Sequence, residues 1–516
     1  MKKEKEINWV LKVLLAFSFS ILAFYQIVIT EYTQFNVTIT IFVAFICGFW
    51  LVDKSIHDNF KYIREHLATS CLILFVAVII TIKLYDIKGV RVQEIVADTW
   101  VKNLFSIYWS LFSAIALFYS GVWLFRKGKN LLREIADELE PWDKKIYIFL
   151  SVLSLGVLAL MYTTNCGWYI QNDNVYSIDS GYCYSSIFPD PAYYDVRHPL
   201  ISLITFPLWA VLSFISDVLI PENLRLVFCA VGIQSVNVQL LLGIGLLLKI
   251  MTKNKRVFLL YMFSFPTLLF SVFLEKYQMC TFLLVLYVYI VWSKPENSKG
   301  NFILAAGTMP TSGFIGVLEL IVKTEKKEKL IKIIKLIVQG ILMLICLGRG
   351  HMLFKGLEEI TTMRQSFSAG ALSTGEKIIS VMKMIQSAFI PLSSNVTEKY
   401  IWSSVTSQLS VISIIIMLVI LIGIISNWKK FLSKVFAIWI LFSFILFVVL
   451  NWSSYESPLF SIYFSWAIVP AFVMGLDYLI EKFRLNSKVI YNVLLALILV
   501  INLMALVDIS NFLHTI

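Results

Sequence analysis

The sequence predicts an all-α polytopic membrane protein, and three observations carry that prediction. The chain is 59% hydrophobic and only 15% charged. Its mean hydropathy is +0.80. Its apolar runs recur at about the 20-residue length that carries a helix across a bilayer. No stretch reads as a soluble domain. The net charge of +11 lies largely in short loops between apolar runs, where cations set membrane orientation, so it does not point to nucleic acid.

Taken in order, residues 9–30 follow Lys2, Lys3 and Lys5. They are too long for a cleavable signal peptide and lack its small-residue exit, so they form a first span with the N-terminus in the cytoplasm. Spans over 36–52, 68–82 and 104–125 follow, with the basic loop 53–67 on the cytoplasmic side. This leaves Lys83, Lys88, Arg91 and Lys102 outside, against the charge rule. The stretch 126–145 carries both signs of charge and Pro141. It reads as a cytosolic linker or a short helix on the membrane surface, and it closes an N-terminal four-helix module, 1–145, ahead of a second module, 146–516.

In the second module, 146–162 crosses outward. Both 201–219 and 224–251 look like spans. Lys253, Lys255 and Arg256 stay inside only if one of the two is re-entrant or lies along the outer face, so whether 201–219 crosses is left open. Residues 257–275 and 277–292 make an outward and returning pair. The run 301–322 divides at Met309-Pro310-Thr311-Ser312-Gly313, because Pro and Gly break a helix and broken backbone survives in a membrane only where something satisfies it. That division returns the basic run 323–335 to the cytoplasm. Spans over 336–347, 409–426, 435–450, 461–480 and 489–507 complete the series, with long exterior loops at 164–199 and 348–405. No internal repeat suggests the inverted halves of a secondary transporter.

The loop 164–199 is the polar exception. It holds Asp173, Asp179, Asp190 and Asp195, and it closes with Arg197-His198-Pro199-Leu200. Charges placed beside hydrocarbon are expensive, which makes this loop the candidate site. Of the seven cysteines, Cys166 and Cys183 share it, either as two thiols or as a disulfide facing an oxidising space. His57, His66, His198, His351 and His514 are far apart, and no metal-ligand spacing occurs. Gly-rich phosphate loops and nucleophile elbows are absent, which argues against a nucleotide sugar bound in a soluble fold.

One crossing, an acidic exterior loop and then His198-Pro199-Leu200 resembles the polytopic glycosyltransferases of the GT-C superfamily. Asp179, within Tyr176-Ser177-Ile178-Asp179-Ser180-Gly181, carries the likeness. So do Phe265-Pro266 followed by Glu275-Lys276, the run Gly307-Thr308-Met309-Pro310-Thr311-Ser312, and Asn451-Trp452 with Tyr455-Glu456-Ser457. The resemblance covers the second module only. It implies a GT-C-like helical core behind extra N-terminal helices, a polyprenyl-phosphate-linked sugar as donor and a glycan or lipid as acceptor. It also implies a catalytic carboxylate in the first exterior loop and work at the exterior face of the cell membrane. Two departures stand out: Asp179-Ser180 where many members carry adjacent acids, and His198-Pro199-Leu200 where His-Pro-Pro is commoner.

The chemistry suits these residue types, since glycosyl transfer needs a carboxylate for an acceptor hydroxyl and cations for a leaving phosphate. Asp179 is the candidate base, or else the cap of a short loop helix. His198 binds phosphate or acceptor, or else ties its loop to the next helix. Arg197 grips phosphate through two bonds or anchors the interface. Asp195 is a second acid or the partner of Arg197. Glu275 and Lys276 line the site or form a tight turn, and Glu456 stands in a similar exterior position. The loop 348–405 carries Arg349, His351, Lys355, Arg364, Lys377, Lys383 and Lys399. It closes over an anionic lipid or lies on headgroups as amphipathic helix. A divalent metal ion held by carboxylates and phosphate is compatible with these residues, though none is demanded. The alternative in another class is a flippase or transporter of lipid-linked oligosaccharide, with a polymerase between the two. A transporter would string charges along a central path, whereas here they gather at helix ends.

Overall fold

The structure, a computed structural model, describes residues 2–27, 34–95, 99–164, 174–191, 193, 197–294, 299–317, 326–346, 358, 361–362, 373–396, 400–404, 407–450 and 457–515. It is an all-α polytopic membrane protein. Among the described residues nine helices are long and apolar enough to cross a bilayer, and one further pair qualifies as a single bent span. The chain divides into two compact units, residues 1–139, 188–225 and 334–359, and residues 140–187, 226–333 and 360–516. The first unit therefore extends beyond the N-terminal helices: it takes in two later segments that the expected boundary at residue 145 assigns elsewhere.

The first unit is built on α1 (Lys2–Ile27), α2 (Gln34–Glu65), α3 (Leu67–Ile95) and α4 (Thr99–Asp137), with α5 (Pro141–Thr164) next in the chain. The stretch 126–145, expected as a cytosolic linker or a short surface helix, is helical along most of its length. The helix α4 runs straight through the basic run, and Arg126 is held by Asp58 at 2.8 Å. Only 138–140 separate it from α5, which opens on Pro141, a residue suited to the first helical turn. Leu15, Val52, Ile56 and Tyr119 pack as one apolar cluster, closed by a Ser55–Tyr119 hydroxyl pair at 2.8 Å. A second cluster joins Ile80, Leu84 and Trp109 to Phe206 and Ala210 of α6 (Ile201–Leu219). Lys83, which the charge rule leaves stranded, pairs with Asp217 of α6 at 2.7 Å.

After α6 comes α7 (Glu222–Thr252). Both are continuous helices of 19 and 31 residues, so neither is shortened into the re-entrant form that charge parity favours. The second unit then departs from a simple bundle. The expected crossing 257–275 is two helices, α8 (Lys255–Phe263) and α9 (Phe265–Val272), bent by 55° at Ser264. Pro266 in the first turn of α9 explains the break, because a proline ring cannot continue the preceding helix. The carbonyl at the end of α8 does not go unmet: Asn502 Nδ2 donates to Phe263 O at 2.7 Å, and also to Phe389 O, from the segment after residue 387, at 2.8 Å.

The helix α10 (Tyr277–Ser293) returns, and α11 (Lys299–Thr308) stops before a 3-10 segment, Pro310–Val317, at the expected break. Then follow α12 (Lys326–Cys346), α13 (Thr374–Ser387), a hairpin of β1 (Ser393–Val396) and β2 (Ile401–Ser404), α14 (Ser407–Ser426), α15 (Phe431–Phe444), α16 (Ser457–Lys482) and α17 (Ser487–Thr515). The hairpin is antiparallel with Ser393 opposite Ser404. Thus the described part of the loop 348–405 is folded: a Ser373–Glu376 capping box starts α13, and Met384, Ala388 and Phe389 are buried. The helix α16 is almost wholly buried, and α14 crosses it at Gly423 and Gly475.

Candidate functional site

In its described residues the polar loop is held by the second unit. Tyr176 N donates to Ile401 O at 3.0 Å and Ile401 N to Asn174 O at 2.7 Å, a parallel bridge that stitches the loop to β2. Tyr176 and Ser177 then take left-handed backbone, with φ of 49° and 60°. Side chains disfavour that region by roughly 1–2 kcal/mol per residue, so the two-residue turn persists only because its surroundings enforce it. Tyr176 supplies part of that enforcement, buried edge-on against Phe265 of α9. The turn delivers Asp179 at the head of a short helix, Ser180–Tyr182, which runs on as a π-turn, Cys183–Ile187.

Asp179 is half-buried and occupies the N-cap position, yet its side chain makes no capping hydrogen bond. Its backbone carbonyl accepts from Cys183 N at 2.9 Å. The capping alternative for this residue is therefore not what its carboxylate does. Beside it, Ser180 Oγ is buried without a hydrogen-bond partner among the described residues, the kind of orphan that calls for an explanation.

Cys183 links this loop to Glu275. Its thiol donates to Glu275 Oε2 at 3.2 Å, and burial first, then the Glu275 charge, pushes its pKa well above the ordinary value. It stays a neutral donor, close enough to Asp179 to feel that charge too. The Glu275 carboxylate also accepts from the Lys276 backbone N–H at 2.6 Å and from Lys276 Nζ at 3.3 Å. Both side chains are deeply buried, at 1% and 6% exposure. Lys276 Nζ lies 5.0 Å from the Tyr277 ring centre.

A bracket of amides fixes this pair in place, and sequence reasoning passed over it. Where α9 ends, its last carbonyls face Gln234 Nε2 (to Phe270 O, 2.8 Å), Gln278 Nε2 (to Phe273 O, 3.0 Å) and Tyr162 OH (to Val272 O, 3.1 Å). Asn237 Nδ2 donates to Glu275 O at 3.3 Å. These groups satisfy a half-helix terminus that hydrocarbon would leave orphaned. The signal was present in the sequence, as lone amides inside apolar runs.

Of the candidate residues, Asp179, Glu275 and Lys276 gather around Cys183 in the second unit. Arg197 and His198 belong to the first. There His198 is 2% exposed, and its carbonyl accepts from Ile201 N at 3.2 Å where α6 begins; Arg197 is half-buried. Asp195 and Glu456 lie outside the described residues, as does Cys166. Among the described residues no group of three His, Cys, Asp or Glu side chains is arranged to hold a metal ion. No family model, curated protein or solved structure matches the chain.

Proposed function

We propose that this chain is a multi-pass membrane glycosyltransferase of the GT-C type. It moves a sugar from a polyprenyl-phosphate donor onto a glycan or lipid at the exterior face of the cell membrane, with its N-terminus in the cytoplasm. The observation that carries the reading is Asp179: a half-buried acid at the head of a helix whose orientation is enforced by a left-handed turn and a β-bridge. An acid held this way suits a general base, since partial burial spares it a full hydration shell.

In the reaction Asp179 takes the proton of an acceptor hydroxyl. The freed oxygen bonds to the anomeric carbon of the donor sugar, and the bond from that carbon to the phosphate oxygen breaks. The polyprenyl phosphate leaves with the electron pair. Glu275 and Lys276 hold the loop that carries Asp179 through Cys183, and Asp195 and Glu456 bind substrate hydroxyls. The orphan hydroxyl of Ser180 stands ready for one of the same polar groups.

The test is transfer from labelled polyprenyl-phosphate sugars in membranes holding the wild type or Asp179→Asn. Transfer by the wild type that collapses in the variant at equal expression supports the enzyme and its base. Absence of transfer by the wild type with every donor class sinks the reading in favour of lipid-linked oligosaccharide transport.

A further inference from the structure

Two turns at one end of the second unit are fastened to each other. The first, 253–254, joins α7 to α8, and the second, 483–486, joins α16 to α17. Asp477, near the end of α16, accepts from Asn254 Nδ2 at 2.8 Å through one oxygen. Through the other it accepts from Arg256 Nη1 at 2.7 Å and Tyr491 OH at 2.9 Å. Arg256 Nη2 also donates to Ser487 Oγ at 3.0 Å, and its guanidinium lies 4.4 Å from the Tyr491 ring centre. The neighbouring acids are thereby spent, Asp477 in this network and Glu140 on Lys255 at 2.9 Å. Lys253, Arg484 and Lys488 stand exposed around it, and none pairs with a carboxylate among the described residues.

Two of these three cations occupy backbone that side chains disfavour: Lys253 has φ 53° and Arg484 φ 55°. At Arg484 the turn is the helix-ending motif that glycine usually closes, with Leu485 N donating to Ile480 O at 2.9 Å and Arg484 N to Glu481 O at 3.2 Å. Membrane orientation does not require this, since a cation anywhere in a short loop counts toward it. Strain kept at two cations points instead to a use for them where they stand. Phe483 and Leu485, 61% and 49% exposed, alternate with the charges. Lys482 Nζ lies 5.8 Å from the Tyr478 ring centre and 5.9 Å from that of Phe483. Because the turn 483–486 joins two candidate spans, Pro458–Lys482 and Ser487–Thr515, it sits at headgroup depth. A soluble polyanion would meet the cations and leave Phe483 and Leu485 in water, whereas a lipid meets both.

We propose that these two turns form a seat for an anionic phospholipid. Its phosphate lies among Lys253, Arg484 and Lys488, and its acyl chains cover Phe483 and Leu485. The Arg256–Asp477 network holds the turns together before the lipid arrives, so little ordering is left to oppose binding. The seat works independently of sugar transfer.

The full-length chain, delipidated in a neutral detergent, is offered equal amounts of phosphatidylglycerol and phosphatidylcholine with identical acyl chains. Native mass spectrometry counts the lipid retained. The wild type favours phosphatidylglycerol by about tenfold or more, and the double variant Lys253→Gly with Arg484→Gly by less than about twofold. Glycine also relieves both strained positions, so in lipid-free detergent this variant melts above the wild type, which separates lost lipid from lost fold. Lys54→Gln with Arg64→Gln removes two exposed cations from α2 and keeps the full preference. Equal retention of both lipids by the wild type overturns the seat, as does an undiminished preference in the glycine variant. A glycine variant that melts below the wild type contradicts the strain on which the seat rests. Equal loss in the α2 variant assigns the preference to net charge and overturns these turns as its place. Displacement of the lipid by excess glycerol phosphate or a short oligonucleotide overturns it in favour of a soluble anion.

Discussion

Cys183 donates its thiol hydrogen to Glu275 at 3.2 Å, and that bond joins the loop carrying Asp179 to the end of a broken half-helix. The carboxylate it reaches is buried beside a single buried ammonium, Lys276. One side of the site thus rests on a charge pair removed from water and on donors that leave neither oxygen of Glu275 unmet.

The pair is consequently fragile to loss of one partner. Lys276→Met strands the Glu275 charge and is expected to cost about 3–5 kcal/mol. Adding Glu275→Gln removes the stranded charge and recovers most of that loss. Thermal unfolding in detergent, followed by intrinsic fluorescence, reads both variants. A single variant that melts with the wild type would mean the pair is not held as described.

A second expectation concerns α14 and α16. A Cβ added at Gly475 would lie 1.9 Å from Val419 O, and one at Gly423 would lie 2.2 Å from Ala471 O. Those atoms are backbone, so no side chain can swing aside, and close approach of this kind is how small residues pack membrane helices. Gly475→Val should fail to accumulate as folded protein. Gly340 has nothing within 4 Å of its added Cβ, and Gly340→Ala should gain about 0.5–1 kcal/mol from helix propensity. Detergent-stable yield by size-exclusion chromatography separates the two.

The fold class was legible because apolar runs of span length leave a chain few choices. The break at Met309–Ser312 was legible as well, since Pro310 announces it. The extension of α4 through Arg126 and Lys127 was not, because the ion pair from Arg126 to Asp58 is a tertiary fact with no local signature. The residue types of the site were visible one by one in Asp179, Glu275 and Lys276. Their meeting through Cys183 was not, because it depends on a bend at Ser264 and on Gln234, Asn237 and Gln278, whose partners lie elsewhere in the chain. The capping box at Ser373 and Glu376 was there to be read and marks order inside a segment that composition presents only as a basic loop.

Acid sensitivity follows from a cluster where α5 starts. Lys255 first, then Lys249, holds the Glu140 carboxylate below its ordinary value of 4.5. Lys249 also meets the buried Asp143 at 2.7 Å. A carboxylate with a lower pKa folded than unfolded stabilises the fold above its ordinary value, and that contribution fades as pH falls through the folded value. Stability should therefore drop on acidification below 4.5. Glu140→Gln should melt below the wild type at neutral pH, and the gap should close as the medium is made more acid. Because Glu140 is solvent-exposed, salt should shrink the gap too. A gap that persists in acid would assign the loss to something other than charge.

The most direct measurement remains the labelled transfer reaction with Asp179→Asn, scored against equal amounts of folded wild-type protein. Loss of at least about a hundredfold in rate, the scale on which general bases contribute, is the expected result. Equal product from both proteins would contradict Asp179 as the base.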